Sequence, residues 1–163
     1  LNGTLNAGKP TVARLLAKRL PRPAVVEIDQ AVPLNLKNAA GVIRNFAEAG
    51  YSAIVPYPLS ATDHAYLCDQ LKDLGPILAV TLRRSRQKCQ ADTRQRKISA
   101  WEYHRIDHHF DIGLCDPAFG DIIDNSQLTA EQTAEAVLAQ LPAWAPEDPE
   151  SKKAAPHGTA FLL

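Results

Sequence analysis

The chain has no surplus of either charge, 18 basic side chains against 18 acidic, only three cysteines in 163 residues, and no methionine. Without a basic or acidic excess there is no broad electrostatic grip on nucleic acid or on an anionic membrane surface, so a small, locally charged ligand is the expected partner. Cys68, Cys89 and Cys115 are widely spaced and match no paired CxxC or zinc pattern. That usage fits a reducing compartment and a cytoplasmic location. No apolar run approaches the roughly 18 residues that span a bilayer. Nor does a basic segment followed by an apolar one open the chain, so neither a membrane span nor export is expected. The missing methionine places the expected start upstream of Leu1 or in a removed segment.

What is present is 45% hydrophobic content, enough for one domain with a sizeable core. Val12, Leu15, Leu16 and Leu20 recur at helical spacing before Pro21, and Lys18 and Arg19 suit the end of that helix. "AVVEID", residues 24 to 29, reads as a buried strand ending in an acid, and residues 35 to 49 as a helix closed by Gly50. "SAIVPYP" is a strand ending near Pro56, because proline cannot donate to a ladder. Ser60 with Asp63 caps a helix over 61–73, and "ILAVTL", residues 77 to 82, is a further buried strand. Ser99 with Glu102 opens a helix to about Phe110, "DIID" at 121–124 is a last strand, and Thr129 with Gln132 opens a helix ending at Pro142. Strands alternating with helices predict a three-layer α/β/α fold around a parallel sheet. The domain is expected to cover residues 1–144, with 145–163, rich in Pro, Glu, Lys and Ser, as a mobile tail.

"GTLNAGKPT", residues 3 to 11, has the Gly-x4-Gly-Lys spacing of a phosphate-binding loop, with Pro10 where Ser or Thr would stand and Thr11 one place later. Such a loop follows a buried strand, and only Leu1 and Asn2 precede Gly3, so the first strand is expected to be truncated. Glycines at 3 and 8 allow backbone amides to approach an anion, and Lys9 supplies a point charge for the β and γ phosphates. The competing reading is a strand-to-helix turn that happens to contain Gly-Lys. Pro10 removes a hydroxyl and one N–H, yet its fixed φ suits the first turn of a helix.

The order of "NGTLNAGKPT", "VEID", "TRQR" and "IIDNSQLTAEQTAEAVLAQL" over residues 1 to about 141 resembles the small P-loop kinases, including shikimate kinase and chloramphenicol phosphotransferase. The resemblance implies a P-loop NTPase fold with about five strands in the order 2-3-1-4-5, ATP as phosphoryl donor, Mg²⁺, and a lid at about residues 84–100. It makes Gly3, Thr4, Asn6, Ala7, Gly8, Lys9, Pro10 and Thr11 the nucleotide-binding residues. Lys9, Asp29, Arg94 and Arg96 would be catalytic, Asp29 and Tyr57 would meet a small hydroxylated acceptor, and Thr11 and Asp29 would hold the metal. Each has a plainer reading: a solvated acid or helix cap for Asp29, an exposed basic hairpin for the two arginines, simple packing for Tyr57. Pro10 and the short path from Asp29 to Asn35 depart from the family pattern. A catalytically weakened nucleotide-binding protein and an NTP hydrolase are the alternatives. Asp124 is expected to be structural, and His104 and His108, four apart without a third ligand, to be polar helix surface rather than a metal site.

Overall fold

The computed structural model describes residues 1–28, 34–91, 97–141 and 161–163. In chain order the elements are α1 (Lys9–Ala17), β1 (Pro23–Val25), α2 (Asn35–Glu48), β2 (Ser52–Ile54), α3 (Ala61–Leu71), β3 (Ile77–Leu78), β4 (Val80–Arg83), α4 (Arg86–Cys89), α5 (Ala100–Asp111), β5 (Asp121–Asp124), α6 (Ala130–Leu138) and β6 (Phe161–Leu162). Local capping chemistry sets where three helices begin. Ser60, Ser99 and Thr129 each accept a hydrogen bond from the amide three residues on, and the Asp63, Glu102 and Gln132 side chains each accept one from the cap residue's own amide. Helix α1 is shorter than its periodicity predicts: the Lys18 and Arg19 amides reach back only three residues, to Leu15 and Leu16, and so tighten the last turn.

Every strand pair is parallel, in the order β1-β2-β6-β3, with β4-β5 as a second ladder. This corrects two expectations. The run 77–82 is not one strand, since β3 pairs with β6 while β4 pairs with β5. Among the described residues there are six strands rather than five, because Phe161–Leu162, placed in the tail by composition, fills the position between β2 and β3. An uncharged Phe-Leu-Leu run is well suited to a strand buried on both faces. Leu163 and Leu1 continue its ladder: Leu163 donates to Leu78 O at 2.8 Å, Leu1 N to Val55 O at 2.7 Å, and Asn2 N to Val80 O at 2.8 Å. Residues from the two ends of the sequence thus lie in one ladder ahead of Gly3.

Alternation with period two divides the interior between the two faces. Leu162 and Ile54 join Val12 and Leu16 of α1 and Val137 of α6 in one cluster. Phe161 and Ala53 join Ile43 and Ala47 of α2 and Leu67 and Leu71 of α3 in the other. Helices therefore cover both sides of a mostly parallel sheet. None of the helices among the described residues is long and apolar enough to cross a membrane.

Candidate functional site

Gly3 leaves the strand with φ 130°, and a methyl group there would come within 2.6 Å of Leu82 O, so only glycine fits. The chain then turns through Asn6 at φ 59°, a left-handed conformation that asparagine tolerates, and reaches Gly8 at φ 95° before α1. Pro10 sits in the first turn of that helix without breaking it, as its fixed φ allows.

Neighbouring elements pin this loop at each step. The Thr4 hydroxyl is 2.9 Å from His109 Nδ1 of α5, Asn6 Nδ2 donates to Cys89 O at 3.0 Å, and Asn125 Nδ2 donates to Ala7 O at 2.9 Å. Burial, with the nearby Arg105 and Lys9 charges, lowers the His109 pKa to about 4, so at neutral pH the imidazole is an uncharged strut. Lys9 is 6% exposed and folds back over the loop, donating to Gly3 O and Thr4 O, both at 2.7 Å. Burial lowers its pKa to about 8, partly offset by the Cys89 and Cys115 thiols.

Beside the loop lies a cavity of about 450 Å³. Lys9, Arg84 and Lys88 bring positive charge to it, and Pro56, Tyr57 and Pro58 also line it. No carboxylate lines it among the described residues. Of the residues assigned from sequence, Asn6, Gly8, Lys9, Pro10, Thr11 and Tyr57 border the cavity. Gly3, Thr4 and Ala7 lie in the same loop but do not line it, and the Thr4 side chain is committed to His109. Asp29, Arg94 and Arg96 lie outside the described residues. Asp124 takes a hydrogen bond from Ser126 N at 3.0 Å and lies 3.9 Å from Arg83, which is a turn-forming role.

Sequence reasoning did not single out Arg84, Lys88 or Asn125. Arg84 and Lys88 lie in the basic stretch 83–97, in which the resemblance assigns only Arg94 and Arg96. Asn125 follows the strand-end Asp124 directly, and an amide placed there was a signal available in "DIIDNS". No protein-family model matches the chain, and no curated protein does. The family likeness therefore rests on the sequence motifs.

The Lys9 environment gives a pH prediction for anion binding. A bound phosphate favours the ammonium and so raises the Lys9 pKa above its free value of about 8. Binding then takes up a proton at pH values between the two. Phosphate affinity is expected to be greatest below about pH 8 and to fall up to about tenfold per pH unit above it. Calorimetric titration of pyrophosphate from pH 7 to 10, in buffers of different ionisation enthalpy, measures both the affinity and the proton count.

Proposed function

We propose that the chain is a P-loop phosphotransferase that moves a phosphoryl group from ATP to a small hydroxylated acceptor. The observation that carries this reading is the cavity itself: a glycine-bounded turn between strand and helix, bordered by Lys9, Arg84 and Lys88. Three cations beside one turn suit a polyanion, and guanidinium and ammonium groups suit phosphate oxygens. The sheet supports it too. The strands are parallel with helices on both faces, although their number and order differ from the family's five in the order 2-3-1-4-5.

Phosphoryl transfer through a loose transition state needs positioning and positive charge more than covalent chemistry from the protein. The acceptor oxygen bonds to the γ-phosphorus as the bond to the bridging oxygen breaks and ADP leaves. Lys9 swings from Gly3 O and Thr4 O onto the phosphates, and Arg84 reaches them from the end of β4. The acceptor's proton passes to Asp29 in the reading of the sequence. Of the two residues assigned to Mg²⁺, Thr11 borders the cavity. One hydroxyl is not a metal site.

Pro10 favours one second reading, a nucleotide-binding protein with weakened catalysis. It also supplies the test. Restoring the hydroxyl and the N–H with Pro10→Ser is expected to tighten ATP binding in Mg²⁺ by about ten- to a hundredfold, from the roughly 1.5 to 3 kcal/mol of a hydrogen bond to a charged group. Without Mg²⁺ the gain is expected to be smaller. Calorimetric titration of ATP with and without Mg²⁺ on both proteins reads this directly. Absence of any nucleotide binding, even by Pro10→Ser, would overturn the proposal. Transfer to an acceptor separates the kinase from the weakened binder, and ATP turnover that is equally fast without acceptor marks a hydrolase.

A further inference from the structure

The phosphate loop has its carbonyls occupied and leaves an amide open. Gly3 O and Thr4 O accept from Lys9 Nζ, Asn6 O from Arg84 Nη1 at 3.4 Å, Ala7 O from Asn125 Nδ2 at 2.9 Å, and Gly8 O from Val12 N at 3.0 Å. The Gly8 N–H has no partner among the described residues, and no side chain caps α1. Peptide geometry connects the two facts. The Ala7–Gly8 bond is trans, so the Ala7 C=O and the Gly8 N–H point to opposite sides within one plane. Whatever holds the carbonyl therefore also aims the amide, and Gly8, unlike Asn125, borders the cavity.

Asn125 suits that task. It is 6% exposed, and its backbone is fixed at the end of the β4–β5 ladder, where Asn125 N donates to Arg83 O at 3.2 Å. Its side chain also packs on the loop, since a methyl group on Gly8 would stand 3.9 Å from Asn125 Nδ2. A carbonyl can only accept, so the NH₂ half of the amide faces Ala7 O. The other half, Oδ1, is buried without a hydrogen-bond partner among the described residues. As a core-filling group this is a poor choice, because an apolar side chain of the same shape would leave no such oxygen unmet. The donor to Ala7 O is what the amide adds. Lys9 and Arg84 hold loop carbonyls too, but both are cations at the cavity that a polyanion draws away. Asn125 is uncharged and buried, so its bond persists when they leave.

We infer that Asn125 is a positioning residue for phosphate binding: by holding Ala7 O it turns the Gly8 N–H into the cavity, where that amide donates to a phosphate oxygen of the nucleotide. This rests on the phosphotransferase reading and adds to it a residue that touches no substrate. The cost falls on stability, through an unmet Oδ1 kept in the core, and the gain falls on anion affinity.

Asn125→Leu in the full chain tests this, because it keeps the branched shape and has no donor. Pyrophosphate titration, thermal unfolding and NMR of the Ala7–Gly8 peptide are the three readouts. Pyrophosphate affinity is expected to fall at least about tenfold. The melting temperature is expected to stay within about 4 °C, because one unmet buried acceptor, Oδ1, gives way to another, Ala7 O. In the native chain the Gly8 amide proton should move downfield saturably with pyrophosphate. In Asn125→Leu that shift should shrink, and the Ala7 carbonyl-carbon shift and the Gly8 HN–Hα couplings should change even without ligand. A merely structural Asn125 would instead lower the melting temperature and leave the Gly8 response intact, which counts against the inference. Asn125→Ala, with the same expected loss of affinity, serves if Asn125→Leu fails to fold. Unchanged Ala7 and Gly8 signals in the free variant, or native pyrophosphate affinity in it, overturns the positioning role alone and leaves the phosphate loop standing. If those signals change but the native chain itself binds no pyrophosphate, the phosphate-loop reading fails and takes the positioning role with it.

Discussion

Lys9→Ala is expected to weaken the proposed ATP binding by at least about a hundredfold without lowering the melting temperature. Removing a charged partner of a phosphate forfeits several kcal/mol, and about 2.7 kcal/mol already corresponds to that factor. The unchanged stability follows from the geometry. In the free protein the Lys9 ammonium is buried, and that burial is what brings its pKa down to about 8. A charge that the fold disfavours contributes little to holding it, even with two carbonyls bound at 2.7 Å. Alanine leaves Gly3 O and Thr4 O short of a donor, but the adjacent cavity gives water access to them. Calorimetry with ATP, paired with thermal unfolding of the same samples, checks both halves. A drop of more than about 8 °C together with lost binding would make Lys9 a structural staple instead. Retained ATP binding in a stable Lys9→Ala protein would remove the central support for the proposed function.

The parts of this site that could be read from sequence are the parts fixed by short-range chemistry. Gly3, Gly8, Lys9 and Pro10 define a turn whose dihedral needs belong to the residues themselves. The caps at Ser60, Ser99 and Thr129 act within three residues. The rest depends on distant packing. Asn125 matters because it lies 118 residues away from Ala7 in sequence and beside it in space. His109 lies on a helix whose apolar stripe says which face is buried but not what that face meets. The division of residues 77–82 between β3 and β4 reflects which neighbour each half pairs with, and no local property of "ILAVTL" encodes it. Phe161–Leu163 shows the same limit most clearly. The polar stretch before it signals disorder, and three apolar residues are too few for periodicity to overrule that signal. Only the sheet shows that a strand was required there.

That strand carries the second large effect. Phe161→Ala is expected to destabilise the protein by about 3 to 5 kcal/mol, and Leu162→Ala by about 2 to 5 kcal/mol. Phe161 has no solvent exposure and Leu162 has 2%. They face opposite sides of the sheet, so the two substitutions open cavities in different clusters. Because the clusters share only the sheet between them, the double variant should lose nearly the sum. Trp101→Ala is the control, since that side chain is large but its residue is 64% exposed, and its loss should stay within about 0.5 kcal/mol. Urea unfolding with a common m-value measures all four proteins. Anion binding gives a further reading at temperatures where each variant remains folded. Leu1 and Asn2 continue the ladder of β6 into Gly3, so loosening β6 should weaken phosphate binding even in folded protein, and Trp101→Ala should not. A cost below about 1 kcal/mol for Phe161→Ala would mean that residue 161 is not in the core, and the strand leading into the loop would have to come from elsewhere.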